Sequence, residues 1–513
     1  MTAAATAHRS SSAHLRDFPD LLSPIVVKEL RQALRGGAFV GVFCFVQLGM
    51  LVITLLQLWA GESQLSDLDE VFWFACVGAL VILVPGRSFN ALAGEVRGDT
   101  FQLLQLTQPS SWRIVVGKWT ATLALIMLVA IGLLPFFVFR YFRGGVGLVP
   151  ELVQLAIITG IGGIVAAFTV AFSAHQAVLV RVLAFLMIGV GGGLLMFGMI
   201  LDEMTTQLTL PSIAMISLGA CCLGLYALLM GAGTIAVGDE NYSAFKRIFA
   251  MSVIATIAVV GLYPDWNPDS ENQHLLLGFQ IGLAAVFLFD SVTEAPRYGK
   301  GIVTKMLRVR VVRRVALLRV WFYPGWQSGH LFFLPVVMLT LIALYQIGAL
   351  DHDDSLIYNV LLGFASIVFP TALIQVHPAK FVDRFVGRYC LLAVLMVVYC
   401  VILVGMSDTS YGHELGAATF FASILTPFAA LLMGEQQYYQ SFAYSDSGEQ
   451  SIFFIGTCVA LLWYLALVLK GLLVSARIRA VEAVTRGELA VQQLADSTKK
   501  SPGKPGLFRI RFG

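Results

Sequence analysis

Charge is scarce in this chain: only 13% of its 513 residues are Asp, Glu, Lys or Arg, against about 25% in ordinary soluble domains. So little charge is at odds with a water-soluble protein of this size, and no nucleic-acid partner is expected. Cysteine is equally uninformative as chemistry. The seven cysteines, Cys44, Cys76, Cys221, Cys222, Cys390, Cys400 and Cys458, all fall in apolar segments, where they act as small hydrophobes and frame neither disulfide nor metal site. No two of the eight histidines stand four residues apart, the spacing of a helical zinc site. Gly117-Lys118, Gly299-Lys300 and Gly503-Lys504 each lack the upstream glycine and the following Ser or Thr of a phosphate-cradling loop. The chain is therefore expected to be no enzyme, with no catalytic residue and no cofactor or metal of its own. Asp351, His352, Asp353 and Asp354 form the one grouping suited to a hard divalent cation, and it reads more simply as a solvated acidic loop.

Long apolar runs fill the space that charge leaves. Hydrophobic residues make up 58% of the chain, mean hydropathy is +0.81, and runs near the ~20 residues needed to cross a bilayer recur along its length. They lie at 38–60, 71–93, 117–139, 151–173, 178–201, 211–236, 247–263, 274–292, 330–350, 355–376, 388–407, 415–434 and 452–474. Continuity argues for helices, because barrel strands alternate polar and apolar residues over ~10 positions, and helices close their own backbone hydrogen bonds in lipid. Residues 1–37 hold no apolar core followed by a small-residue cleavage site, so no cleaved signal peptide is expected.

Cytoplasmic loops retain Lys and Arg. That places inside the N-terminal segment, with Arg9, Arg16, Lys28, Arg31 and Arg35, and the stretch 293–329, with eight basic residues against Glu294. Acidic loops around Asp67, Asp265 and Asp351 contain no basic residue and belong outside. Arg140 and Arg143 break this pattern, and are expected to snorkel to the headgroups. Thirteen crossings would strand the basic tail outside, so one run must not cross. Segment 415–434, interrupted by Pro427 and flanked by acids, is expected to be re-entrant. The expected fold is an all-α polytopic membrane protein with about twelve spans, one re-entrant segment, and both termini cytoplasmic.

The basic stretch 293–329 suggests an organisation of cytoplasmic N-terminus 1–37, front bundle 38–292, linker, rear bundle 330–474 and cytoplasmic tail 475–513. Within 1–37, SPIVVKELRQALRGG predicts a short helix with Ser23 as N-cap, Pro24 in its first turn and a Gly36-Gly37 stop. Its apolar and basic faces suit the inner headgroup plane. A second amphipathic stretch covers about 476–494, and 496–506 reads as disordered. Glycines 160, 162 and 163, and those at 189–193, suit close helix packing. Asp290 and Lys470 are expected to snorkel, and no span carries the cluster of ionisable residues that would mark an ion path.

Residues 94–116 are different: a patterned loop, EVRGDTFQLLQLTQPSSWRIVVGK from Glu95 to Lys118, between two long apolar runs. Asp99 and Gln102 can form a capping box, and Pro109 ends that helix. Phe101, Leu103, Leu104 and Leu106 give it more apolar surface than a short solvated helix can keep in water, so it must pack on something. Ser110 or Ser111 then starts the helix that leads through Gly117 and Lys118 into the third span.

These residues resemble the coupling loop in the permease subunits of type-2, exporter-like ABC transporters. Glu95, Thr100, Leu103, Leu104, Thr107, Pro109, Ser110, Ile114, Gly117 and Lys118 match its pattern. PIVVKELRQALR at 24–35 is similar to the family's connecting helix, and LPFF at 134–137 with GGV at 144–146 to its third span and exit. The chain departs from the pattern where Asp99 separates Gly98 from Thr100 and Gln108 separates Thr107 from Pro109. HPAKFVDRFVGR at 377–388 occupies a comparable inner loop without the motif.

The resemblance implies a permease of the cytoplasmic membrane, an exporter, driven by a separate ABC ATPase subunit that hydrolyses ATP and docks on Glu95, Thr100, Phe101, Leu103, Leu104, Thr107, Pro109, Ser110, Gly117 and Lys118. The lipid bilayer is its other partner, and a second permease copy stays open. Two other classes compete: a membrane scaffold for which the loop is a docking surface, and an intramembrane enzyme acting on a lipid-linked substrate through the outer acids.

Overall fold

A computed structural model describes residues 23–59, 62–93, 110–144, 147–175, 177–185, 210–236, 240–261, 270–294, 300–308, 321–346, 354–376, 385–408, 426–435 and 447–500. They form helices and no strand. Eleven helical segments among the described residues are long and apolar enough to cross a bilayer, which makes this a multi-pass helical membrane protein. They match eleven of the expected runs; the run at 178–201 is described only over its first eight residues, Val178–Phe185.

Contacts divide the chain into two compact units, 1–176 with 184–204, and 177–183 with 205–513. The basic stretch 293–329 thus falls inside the second unit, because the helices before and after it pack on each other.

In the first unit, α1 (Pro24–Arg35) leads through Gly36 into α2 (Gly37–Trp59), followed by α3 (Glu62–Val77), α4 (Ser111–Arg143) and α5 (Leu148–Phe172). Pro24 starts α1 as expected, but the Ser23 hydroxyl makes no cap bond, and Gly37 already belongs to α2. The second span continues α3 through a wide π-helical turn, Gly78–Leu83, and Pro85 to Asn90. That turn brings the Leu80 carbonyl so close to α5 that a Cβ on Gly162 would lie 2.5 Å from it. Gly163 is also tight, against Leu123, whereas Gly160 has open space. The core gathers Phe39, Met50, Phe72, Leu80, Val129, Phe137, Ile158 and Ala166.

In the second unit, α6 (Val178–Phe185) begins at its edge and α7 (Leu210–Ile235), α8 (Tyr242–Gly261), α9 (Ser270–Thr293), α10 (Lys300–Arg308), α11 (Trp326–Gln346), α12 (Asp354–Val376), α13 (Phe385–Asp408), α14 (Pro427–Glu435) and α15 (Ser447–Lys500) follow. Helices α12 and α15 are parallel: Gly456 meets Leu362, and Trp463 stacks edge-on against Phe369 seven residues further along both. Helix α13 runs the other way, since Tyr389 bonds the Ile367 carbonyl while Cys400 and Leu403 reach Ala429, the neighbour of the Ala430 that meets Gly456. The chain between α13 and α15 therefore starts and ends on one side. Its described part, α14, has nine residues and spans only about 14 Å, less than half of the hydrocarbon core.

Helix α15 has 54 residues, so the last span and the amphipathic stretch expected after it are one helix. Residues 496–500, expected to lack order, are its last turn. Beyond the span it packs on α10, where Val481 joins Ile302, Val303, Leu307 and Tyr323, and the Tyr323 hydroxyl donates to Glu482 at 2.9 Å.

Candidate partner-docking site

The described residues on either side of the patterned loop are held at two fixed points. At its entry the Leu92 amide donates to Ser173 Oγ at 3.0 Å, and Ser88 Oγ lies 2.6 Å from Thr122 Oγ1. At its exit Ser110 holds an extended conformation, and its carbonyl accepts from the amides of Arg113 and Ile114, which starts α4. The expected helix start at Ser110 is thus present, although its hydroxyl makes no capping bond. Glu95, Thr100, Phe101, Leu103, Leu104, Thr107 and Pro109 lie outside the described residues.

Gly117 and Lys118 face inward, onto α1. A Cβ on Gly117 would lie 2.8 Å from Ile25 Cγ2, so only glycine lets α1 come this close. One residue on, Lys118 Nζ lies 2.9 Å from Glu29 Oε1, with the lysine side chain 4% exposed. A buried ammonium is costly unless paired, and this pair ties the α1 helix to the foot of the third span. Trp119 adds a bond from its indole N–H to the Gly163 carbonyl at 2.9 Å.

Charge clusters were the feature that sequence reasoning missed. Arg140 does not snorkel: it is 1% exposed, bonds Glu151 through Nε and Asp69 through Nη1, and lies over the Phe72 ring at 4.3 Å. Arg143 reaches the same Asp69 oxygen at 3.3 Å, as does Gln57 at 2.9 Å. Four helices, α2 to α5, are thereby braced at the end expected to face outward. The signal in the sequence was Arg140 and Glu151, of opposite sign, on either side of a short connection.

A second cluster corrects the expectation that Asp290 snorkels. Lys246 Nζ lies 2.7 Å from Asp290 and 3.3 Å from Glu294, Arg247 lies 2.8 Å from Glu294, and the Tyr226 hydroxyl donates to Asp290 at 2.8 Å. Arg247 also donates to the carbonyls of Trp321, Tyr323 and Gly325. It thereby holds the turn where Gly325 takes φ 138, a conformation that favours glycine. Burial alone would raise the Glu294 carboxyl. Lys246 and Arg247, with bonds from Ser243 and the Gly325 amide, outweigh that and hold it below the usual carboxylate range.

In both clusters two cations face two carboxylates, which suits bracing better than proton transfer or nucleophilic attack. No group of His, Cys, Asp and Glu among the described residues could hold a metal ion, and all seven cysteines are free. Of the acidic loop at 351–354 only Asp354 is described, as the first residue of α12. The chain matches no family model, no curated protein and no solved structure.

Proposed function

We propose that this chain is the membrane-spanning permease subunit of an ABC transporter, an exporter of the cytoplasmic membrane, worked by a separate ATPase that docks on the loop between the second and third spans. One observation carries this reading: α1 and the foot of α4 are locked together by Gly117 against Ile25 and Lys118 against Glu29, right where that loop returns. A force applied to a loop is useful only if the loop is attached to something stiff. Here its exit continues directly into a 33-residue helix that packs on α1, α2 and α5, so a push at the loop would act on the third span and α1 together.

The apolar residues Phe101, Leu103 and Leu104 would supply the contact, and ATP chemistry would stay with the partner. Purification of the tagged chain from its native membrane tests the reading. An ATPase subunit should be retained, and should be released by Phe101→Asp with Leu104→Asp. A reporter fused at Ser110 should lie in the cytoplasm. Retention of the same ATPase by the doubly charged variant, or a reporter on the far side, would overturn it.

A further inference from the structure

The basic face of α1 carries no ion pair among the described residues. Its opposite side is fully engaged: Val26 is buried, Ile25 meets Gly117, and Glu29 is paired with Lys118. Lys28, Arg31 and Arg35 are exposed, and none has an ion-pair partner among the described residues. With the one acid of α1 neutralised by Lys118, this face is purely cationic.

Position decides what such a face meets. Gly36 is the only residue between α1 and α2, and its carbonyl accepts from the Phe39 amide, so α1 cannot leave the end of a membrane span. Leu34, within α1, and Val40, in the first turn of α2, are 47% and 49% exposed, so apolar surface is open on both helices. A ligand matching both would carry negative charge at one end and hydrocarbon at the other. Arg87 adds to this end of the unit: its guanidinium lies 5.3 Å from the ring centre of Phe39, and its Nη1 is buried without a hydrogen-bond partner.

We propose that the α1 face is a binding site for anionic phospholipid, with Lys28, Arg31 and Arg35 holding the headgroup phosphate and Leu34 and Val40 lying along the acyl chains. The apolar neighbours favour a lipid over an acidic protein, which would need no hydrocarbon surface. Each cation near an anionic headgroup layer strengthens binding by roughly fivefold, and three give roughly a hundredfold.

Native mass spectrometry of the purified full chain in detergent, with equal amounts of phosphatidylglycerol and phosphatidylcholine, tests it. Phosphatidylglycerol should be retained preferentially, and the preference should fall roughly a hundredfold in Lys28→Gln, Arg31→Gln, Arg35→Gln. The charge-conserving Lys28→Arg, Arg31→Lys, Arg35→Lys should keep it, which separates lost charge from lost fold. Equal retention of both lipids, or a preference that survives the glutamine variant, would overturn the proposal. So would displacement of all bound phosphatidylglycerol by inorganic phosphate, which would show that the hydrocarbon contributes nothing.

Discussion

Lys118 and Glu29 stand 89 residues apart in the chain and 2.9 Å apart in space. That contact joins an amphipathic surface helix to a membrane span, and makes the start of the third span part of a larger rigid body. Replacing Lys118 with Ala should cost about 2 kcal/mol, the worth of a hydrogen bond to a charged group. Glu29→Gln should rescue part of the loss. A double-mutant cycle on thermal unfolding of the purified protein measures the coupling, and a value near zero would show that the pair does not hold α1.

Glycine substitutions separate close packing from mere flexibility. Gly162→Ala drives a methyl group into the Leu80 carbonyl, which as backbone cannot step aside, whereas Gly160→Ala enters open space. The first should lose about 1–3 kcal/mol and the second should be neutral or slightly stabilising. Equal effects in thermal unfolding would contradict the crossing of α5 with the π turn.

Removing Arg140 leaves Glu151 buried without a cation, whereas the half-buried Asp69 keeps Arg143 at 3.3 Å. Arg140→Met should therefore destabilise the protein by about 3–5 kcal/mol, the usual cost of breaking a buried pair on one side. Arg143→Met should matter much less, since its contact to Asp69 is longer, at 3.3 Å, and 15% of its side chain is exposed. Expression and detergent-solubilised melting temperature distinguish the two.

Acid should weaken the second cluster through Glu294. Its carboxyl is held below the usual range in the fold, and the unfolded chain has a value near ~4.3. The group binds protons more readily unfolded than folded, so its stabilisation is complete above the unfolded value and disappears as pH falls through the folded one. The melting-temperature gap between wild type and Glu294→Gln should be constant from neutral pH to about 5 and close at lower pH. A gap that widens in acid would reverse the sign of the effect.

Much of the molecule was legible in advance because hydropathy is a local property. A run such as 117–139 is apolar whatever it touches, and lipid forces it into a helix. Of the run expected to be re-entrant, 415–434, only the part from 426 on is described, and it starts α14 at Pro427. Continuity of the last helix was not legible, because an amphipathic stretch after a span reads alike with or without a break; contacts of Val481 and Glu482 with α10 and Tyr323 keep it straight on. At the candidate docking loop, sequence found the helix that starts at Ser110 and runs through Gly117 and Lys118, but not their contacts with α1, since nothing near them announced Ile25 and Glu29.

Composition alone determined that this chain lives in a bilayer as a bundle of helices, because hydrocarbon accepts few other structures. Tertiary structure decided where its charges go. Arg140 and Asp69 are 71 residues apart and Lys246 and Asp290 are 44 apart; an ion between spans is tolerable only beside its counterion, and which counterion lies within reach depends on how the helices pack.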